Sequence, residues 1–346
     1  MISKVREKGE QVRCFILENI EAHSGDIANL AAEKFSISRQ AVNKHLTRLR
    51  EQGAITMEGS SRAPRYKLAP LEKKQFFYDL GVNLDEDLVW RRDIKPCIEP
   101  LPDNVLNIWH HGFTEMFNNA IDHSKGTSIA VQVSKTAIST EIVISDDGVG
   151  IFKKIQQEFD LLDERQAIFE LAKGKLTTDP RNHSGEGIFF TSRMFDHFDV
   201  LSGGLHFSHE RGKPEDWLIE RSKAASGTAV FMELHNHTAR TTRKVFDEFT
   251  EGDGDTTFNK TVVPVQLAKY GADELISRSQ AKRLLARVEL FKYVVLDFAG
   301  VETIGQAFAD QVFRVFTTDH PEISLVAINA SAEVQRMISR AQSTER

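Results

Sequence analysis

Residues 105–124 read VLNIWHHGFTEMFNNAIDHS, and this stretch decides how the middle of the chain folds. Polar side chains recur in it at every fourth position, namely His111, Glu115, Asn119 and His123. Residues four apart lie on one face of an α-helix, so the four form a polar stripe. A solvated stripe normally carries lysine or arginine, but this one has neither, and apolar residues flank it. The pattern therefore predicts a helix whose polar face serves a ligand or a buried network.

The second motif follows a predicted strand in EIVISDDGVGI, residues 141–151. The chain is expected to turn at Asp146, with Gly148 and Gly150 at the next alternate positions. A carboxylate at a strand tip followed by two glycines lets another group approach the backbone closely. Alone, the motif is equally typical of a simple turn, and Asp147 is predicted to be a turn carboxylate.

Two further motifs lie downstream. In NHSGEGIFFTSRMF, residues 182–195, Gly185 and Gly187 precede a predicted helix over residues 188–195. A glycine-rich turn at a helix start presents unpaired amides and the positive end of the helix dipole, which suit phosphate. The triplet Ser226–Gly227–Thr228 is then predicted to begin a strand.

These four elements, in this order, resemble the GHKL family of ATP-binding domains. The family includes gyrase-type topoisomerases, mismatch-repair ATPases, sensor histidine kinases and anti-sigma-factor serine kinases. The resemblance covers about residues 103–235. It implies an α/β sandwich of the Bergerat type over residues 103–240 that binds ATP together with Mg²⁺.

The resemblance also implies roles for individual residues. Asn119 is expected to coordinate Mg²⁺, and Glu115, one helical turn earlier, to act as the catalytic general base. Asp146 is expected to accept from the adenine amino group, with Thr228 supporting it through a water. Residues 171–187 are expected to form a lid over the phosphates. The other expected ATP contacts are His123, Gly148, Gly150, Lys175, Gly185 and Gly187.

Two of these assignments have ordinary alternatives. Lys175 is equally well interpreted as a solvated charge of the lid, and His123 as a helix histidine with its own hydrogen-bond partner. A sensor histidine kinase is not expected, because His110 and His111 sit on the same predicted helix as Glu115. A rigid helix rises about 1.5 Å per residue, so these histidines cannot swing to the γ-phosphate.

The first 70 residues predict a winged helix-turn-helix. Helices are expected over residues 11–22, 26–35 and 39–52, with Ser38 as the N-cap of the third, followed by a hairpin that turns at residues 59–61. This segment carries 12 Lys and Arg against 8 Asp and Glu, whereas the whole chain has a net charge of −6. A basic module on an acidic body favours an anionic partner. The residues expected to contact duplex DNA are Ser38, Arg39, Gln40, Asn43, Lys44, Arg48, Arg62 and Arg65.

Residues 71–102 are interpreted as a connector, part of which packs. Strands and helices alternate over residues 256–346, which predicts a small α/β domain. Within it, LDFAGVETIGQAFADQVFRVF, residues 296–316, resembles STAS-like anti-anti-sigma-factor domains over about residues 258–340. Such domains carry a phosphorylatable serine in the loop after the strand, but here Thr303 is the only hydroxyl. Docking of a regulatory protein is therefore favoured over a phosphorylation switch.

Composition limits the remaining classes. No run of 18 apolar residues exists, the first residues lack a secretory signal, and two distant cysteines favour reduced thiols. A cytoplasmic protein without a membrane partner is expected. The fold class is multidomain α+β: a winged helix-turn-helix (1–70), a connector (71–102), a GHKL sandwich (103–240) and a STAS-like domain (256–346).

Three hypotheses for function remain open. The first is an ATP-binding, slowly ATP-hydrolysing regulator of transcription, whose nucleotide state controls DNA binding and partner docking. The second is a serine/threonine protein kinase resembling anti-sigma factors. The third is a non-catalytic interaction protein, with a winged helix that forms a homodimer. Whether the chain is an enzyme stays undecided between an ATP hydrolase and a kinase.

Overall fold

A computed structural model of the chain describes residues 4–60, 63–176, 185–213, 217–251, 257–269 and 274–343. Over these ranges it is a mixed α/β structure with three separate sheets. Two hydrophobic cores hold it together: one has its buried residues between Val12 and Ile55, and the other runs from Tyr78 to Ala341.

The N-terminal segment consists of three helices and a hairpin. Its elements are α1 (Lys4–Asn19), α2 (Ile27–Phe35), α3 (Arg39–Glu51), β1 (Ile55–Ser60) and β2 (Ala63–Leu68). Ser38 is the N-cap of α3, as predicted, because its Oγ accepts from the amide of Ala41 at 3.2 Å. The first helix starts earlier than predicted, at Lys4 and not at residue 11.

The central segment is built on a five-stranded antiparallel sheet with strand order β3-β4-β5-β7-β6. Helix α6 supplies much of its core, burying Trp109, Phe113 and Phe117. Its elements are β3 (Glu72–Asp79), α4 (Glu86–Val89), a π-helical turn (Trp90–Ile94), α5 (Lys95–Ile98), α6 (Asp103–His123), β4 (Ser128–Lys135), β5 (Ser139–Asp146), α7 (Ile151–Glu158), α8 (Glu164–Lys173), α9 (Gly187–Met194), β6 (His197–Glu210) and β7 (Trp217–His235).

The segment interpreted as a connector belongs structurally to the central sheet. Strand β3 pairs antiparallel with β4 over its whole length, from Glu72 opposite Lys135 to Asp79 opposite Ser128. It forms the edge of the sheet, and Trp90 and Ile94 behind it are buried in the central core. The apolar side chains of this segment are thus explained by strand pairing and core packing.

Strand β7 also differs from the prediction, because it begins at Trp217 and not at the Ser226–Thr228 triplet. It pairs with the long strand β6, and the register of that pairing shifts near Gly203. Gly227 lies within β7 with a φ of 76°, a conformation that glycine adopts without a steric penalty. The glycine that looked like a strand start is a bulge inside a longer strand.

The C-terminal segment has a three-stranded parallel sheet in the order β10-β9-β8. Alternate residues of β8 and β9 are buried, so one face of the sheet contributes to the core. The elements of the segment are α10 (Thr242–Glu248), β8 (Lys260–Pro264), a 3₁₀ turn (Val265–Ala268), α11 (Arg278–Leu285), a second 3₁₀ turn (Val288–Leu290), β9 (Tyr293–Asp297), α12 (Gln306–Asp310), a π-helical turn (Gln311–Val315), α13 (Phe316–Asp319), β10 (Ser324–Ile328) and α14 (Ala332–Ser343).

Aromatic side chains join the central and C-terminal segments into one core. The ring of Phe258, just before β8, lies 4.8 Å from the ring centres of both Phe189 and Phe190 on α9. On its other side, Phe258 contacts Phe291 at 5.1 Å. The predicted boundary at residues 252–255 lies outside the described residues, and the hydrophobic core continues across it.

Candidate functional site

A cleft opens between α6, the end of β5, the start of α7 and β7, with about 490 Å³ of empty space that includes open solvent. Apolar side chains make up most of the wall, and a few polar groups converge within it. The lining residues are Met116, Asn119, Ala120, His123, Ser124, Ile144, Asp146, Ile151, Lys154, Ile188, Val200, Thr228 and Val230.

Asp146 places a carboxylate in the cleft, and the hydrogen bonds that it accepts from described residues go to one of its two oxygens. Its Oδ1 accepts from the amide of Gly148 at 2.8 Å and from the amide of Thr228 at 3.3 Å. Burial raises the pKa of Asp146, and these two backbone hydrogen bonds oppose that rise. Within the described part of the chain, no hydrogen bond is directed to Oδ2. The carboxylate therefore offers a cleft-lining acceptor to a ligand N–H.

Thr228 supports Asp146 through a direct contact, and the expected water-mediated contact stays a prediction. The backbone amide of Thr228 makes the contact, and its side-chain Oγ1 instead accepts from the amide of Ile151 at 3.0 Å. Thr228 consequently ties β7 to the first residue of α7, which orients one wall of the cleft.

Gly148 and Gly150 are required by close packing of the loop that carries Asp146. A β-carbon on Gly148 would overlap the carbonyl oxygen of Ser124 at the end of α6. Gly150 has a φ of 88°, and a β-carbon there would lie 2.6 Å from Oγ of Ser202. Both glycines thus let the loop press against its neighbours, which holds Asp146 at the cleft.

Asn119 and His123 line the cleft from consecutive turns of α6, as their spacing predicts. The side-chain amide of Asn119 makes no hydrogen bond to any described residue, although it is half-buried. His123 Nδ1 lies 3.2 Å from Nζ of Lys154 on α7. A half-buried amide without a protein partner is a group to which a ligand or a bound ion can add hydrogen bonds or coordination.

Glu115 and Gly187 meet at the start of α9. A β-carbon on Gly187 would overlap Oε2 of Glu115, so the helix begins directly against this carboxylate. Gly185, with a φ of 73°, packs on the backbone of Leu176, whose amide donates to the carbonyl of Gly185 at 3.1 Å. The structure therefore brings Gly187 against Glu115 in the middle of α6, while Gly185, two residues earlier, packs on Leu176.

Lys175 makes a different contact from the one expected. Its Nζ donates to the carbonyl of Leu290 at 2.9 Å and lies 4.7 Å from the ring centre of Phe291. It does not line the cleft, because the turn at Gly174, with a φ of 86°, leads the chain to the C-terminal segment. The middle of the expected lid, residues 177–184, lies outside the described residues.

Asp147 is a turn carboxylate, as predicted. Its two oxygens accept from the amides and hydroxyls of Thr127 and Ser128, at 2.6 to 3.1 Å. These hydrogen bonds hold the pKa of Asp147 well below its usual range. Its role is to tie the loop after β5 to the start of β4.

The residues expected to contact DNA form an exposed surface on α3. Its side chains border a shallow groove lined by Gln40, Asn43, Lys44, Thr47, Arg48 and Glu51. Ser38, Arg39 and Arg65 are also exposed, whereas Arg62 lies outside the described residues. Nearby, Lys67 is paired with Glu58 at 3.0 Å. Six of the eight expected residues are thus on α3 or at its N-cap, and Arg65 is exposed on β2.

No sequence pattern pointed to Lys154. Among the described residues that line the cleft, it is the one with a lysine or arginine side chain. It lies between the buried residues Phe152 and Ile155 of α7, and no spacing relates α7 to α6. Only the packing of these two helices places its amino group beside His123.

Comparison with known proteins identifies one part of the chain. Residues 280–335 match the family model of a STAS-like domain of unknown function (DUF4325). The C-terminal part carries a STAS-like domain. No curated protein matches the chain at a significant level. None of the helices in the described ranges is long and apolar enough to cross a membrane.

Proposed function

We propose that this chain is an ATP-binding regulator of the GHKL type, in which the nucleotide controls what the terminal segments contact. The observation that carries the proposal is the carboxylate of Asp146, whose hydrogen bonds from described residues both go to Oδ1. Oδ2 remains to accept from the amino group of an adenine. Apolar side chains such as Met116, Ile144 and Val230 would enclose the base.

A phosphate chain would extend from the base towards Asn119 on α6. The side-chain amide of Asn119, which bonds to no described residue, would supply one oxygen ligand to Mg²⁺. This ion prefers a few protein groups together with phosphate oxygens and would neutralise their charge. Glu115 would take the proton of a water that attacks the γ-phosphorus, so that ADP and inorganic phosphate leave. Glu115 is on α6 beside the cleft lining, and its close approach to Gly187 at the start of α9 supports this role.

Helix α9 supports the regulatory part of the proposal because it contacts both units. Its first residue, Gly187, lies against Glu115, while Phe189 and Phe190 pack against Phe258 at the entrance to the STAS-like segment. A nucleotide that moved the start of α9 would alter this aromatic contact. Coupling of this kind is typically worth about 1–3 kcal/mol.

The N-terminal segment would be the output to DNA, through a winged helix-turn-helix. Support comes from the exposed face of α3, where Lys44 and Arg48 flank amides and hydroxyls that can contact base edges. The core of this segment also receives Ala137 from the turn between β4 and β5, so it rests on the nucleotide-binding unit.

Calorimetric titration of the full chain with ATP and Mg²⁺ tests the proposal. Asp146→Asn keeps an oxygen for the two amides but turns an NH₂ donor towards the adenine amino group. We expect it to weaken ATP binding by at least about tenfold, because two donors would then face each other. Asp319→Asn, at an exposed carboxylate, is the matched control. ATP binding that is absent in the wild type, or unchanged in Asp146→Asn, would contradict the proposal.

An incubation with γ-labelled ATP distinguishes ATP hydrolysis from protein phosphorylation. Release of labelled phosphate that is lost in Glu115→Gln supports a hydrolysing switch. Label that stays on the protein would identify a kinase instead, and the modified residue would then be mapped, beginning with Thr303. Thr303 is half-buried in the loop between β9 and α12. Binding without either signal would leave a nucleotide sensor.

A further inference from the structure

Lys154 places a largely buried amino group in the wall of the cleft. Its side chain is only 11% exposed, and its Nζ lies 3.2 Å from Nδ1 of His123. The nearest carboxylate oxygen, Oε1 of Glu158 on the same helix, is 3.9 Å away. Since an ammonium group can only donate, Nδ1 of His123 is the acceptor and the ring carries its proton on Nε2.

This environment is unfavourable for an ammonium group by itself. Burial is the largest influence on Lys154 and lowers its pKa. The imidazole acceptor and the charges of Glu158 and Asp122 compensate only in part for the lost hydration, and the charge of Lys125 opposes them. A ligand with negative charge would supply the missing compensation, and Lys154 supplies the positive charge among the described lining residues.

The position of Lys154 indicates which part of a ligand it would meet. His123, its partner, is one turn beyond Asn119 on α6, a rise of about 6 Å. Asp146, the expected contact of the base, lies on β5 and has no hydrogen bond with Lys154. A nucleotide with its base on Asp146 and its metal on Asn119 would pass its phosphates within reach of Lys154.

We propose that Lys154 is a phosphate-binding residue of this cleft, which selects ligands with a phosphate chain over the bare nucleoside. The inference rests on the proposed function, because it takes the same cleft to be the nucleotide site. It adds a contact from α7 that the four sequence motifs do not contain.

The test compares adenosine, AMP, ADP and ATP by calorimetry on the full chain. Lys154→Met keeps a side chain of similar length in the same apolar surroundings. We expect it to lower the affinity for ADP and ATP by on the order of tenfold or more, because a charged hydrogen bond is removed, with adenosine changed less than about twofold. Lys154→Arg should keep most of the discrimination. Lys153→Met, at an exposed neighbour on α7, is the matched control.

The outcomes separate this inference from the proposed function. If the wild type binds ATP and Lys154→Met binds it equally well, the assignment of Lys154 is wrong and the ATP site stands. Equal losses for adenosine and ATP would show a structural role and would also overturn the assignment. If the wild type binds none of the four ligands, the proposed function falls together with it.

Discussion

The amino group of Lys173 lies 2.8 Å from Oε1 of Glu170, and the two side chains are 1% and 2% exposed. The same amino group donates to the carbonyl of Ala286 at 2.7 Å and lies 3.3 Å from that of Arg283. In return, Oγ1 of Thr261 donates to the carbonyl of Lys173 at 2.7 Å. A buried ion pair at the end of α8 thus fastens the STAS-like segment to the base of the expected lid.

Removing one partner of this pair should be costly. Lys173→Met would leave the carboxylate of Glu170 buried, where burial already raises its pKa, with only Arg287 at 3.7 Å. We expect a loss of about 3–5 kcal/mol in the free energy of unfolding, measured by urea denaturation. The double variant Lys173→Met/Glu170→Leu should recover much of that loss, because no charge is left unpaired. A double variant no more stable than the single one would show that the pair itself is not responsible.

Gly187→Ala should fold normally but disturb the chemistry at Glu115. The added methyl group would meet the end of a flexible side chain, which can move aside, so stability should change little. We expect ATP hydrolysis to fall by more than about tenfold, since a misplaced general base contributes less. Gly25→Ala, where nothing lies within 4 Å, is the control. An unchanged rate of ATP hydrolysis in Gly187→Ala would argue that Glu115 does not act as the general base.

Gly185→Ala provides a contrast with the preceding variant. Its backbone has a φ of 73°, and the new β-carbon would meet the backbone of Leu176 at 2.6 Å. Backbone atoms cannot move aside cheaply, so this variant should lose both nucleotide binding and thermal stability. If Gly185→Ala and Gly187→Ala had the same thermal stability and nucleotide affinity, the difference between backbone and side-chain contacts would not matter here.

Asp147 should make stability depend on acid. Its pKa is lowered in the folded chain by hydrogen bonds from Thr127 and Ser128. Its contribution is therefore present above the unfolded pKa of about 3.9 and is lost as the pH falls towards the folded value. Asp147→Asn should be less stable than the wild type at neutral pH, and the difference should shrink below about pH 4. Thermal unfolding across this range measures it, with Asp319→Asn as control, and a difference that stays constant with pH would refute the idea.

The α3 face should bind duplex DNA in a salt-dependent way. Lys44→Ala and Arg48→Ala remove exposed cations from that face. We expect each to weaken binding of random duplex DNA and to reduce the slope of log K against log salt by about 0.9 for each phosphate that is no longer neutralised. Lys282→Ala, an exposed lysine on α11, makes the same charge change elsewhere. Gel shifts at several salt concentrations would measure the slopes. Identical slopes for all three variants would exclude this face as the DNA-binding surface.

Local patterns were sufficient for several parts of the site. The four-residue spacing on α6 predicted that Asn119 and His123 share one face, and both line the cleft. The predicted turn after β5 correctly made Asp147 a loop carboxylate. Ser38 was correctly predicted to cap α3. Each of these depends on helical periodicity or on hydrogen bonds to the nearby backbone or to a directly paired neighbouring strand, which a short stretch of residues specifies.

The sequence by itself determined those elements that carry a clear periodicity, cap or glycine turn, such as α3 and α6, because these signals are encoded within about a dozen residues. Tertiary structure alone decided that residues 72–79 are a strand of the central sheet, since an edge strand is defined by its partner. It also decided that Lys154 joins His123 and that Lys175 turns to the C-terminal segment. These contacts link residues 31 and 115 positions apart, and no local pattern carries them.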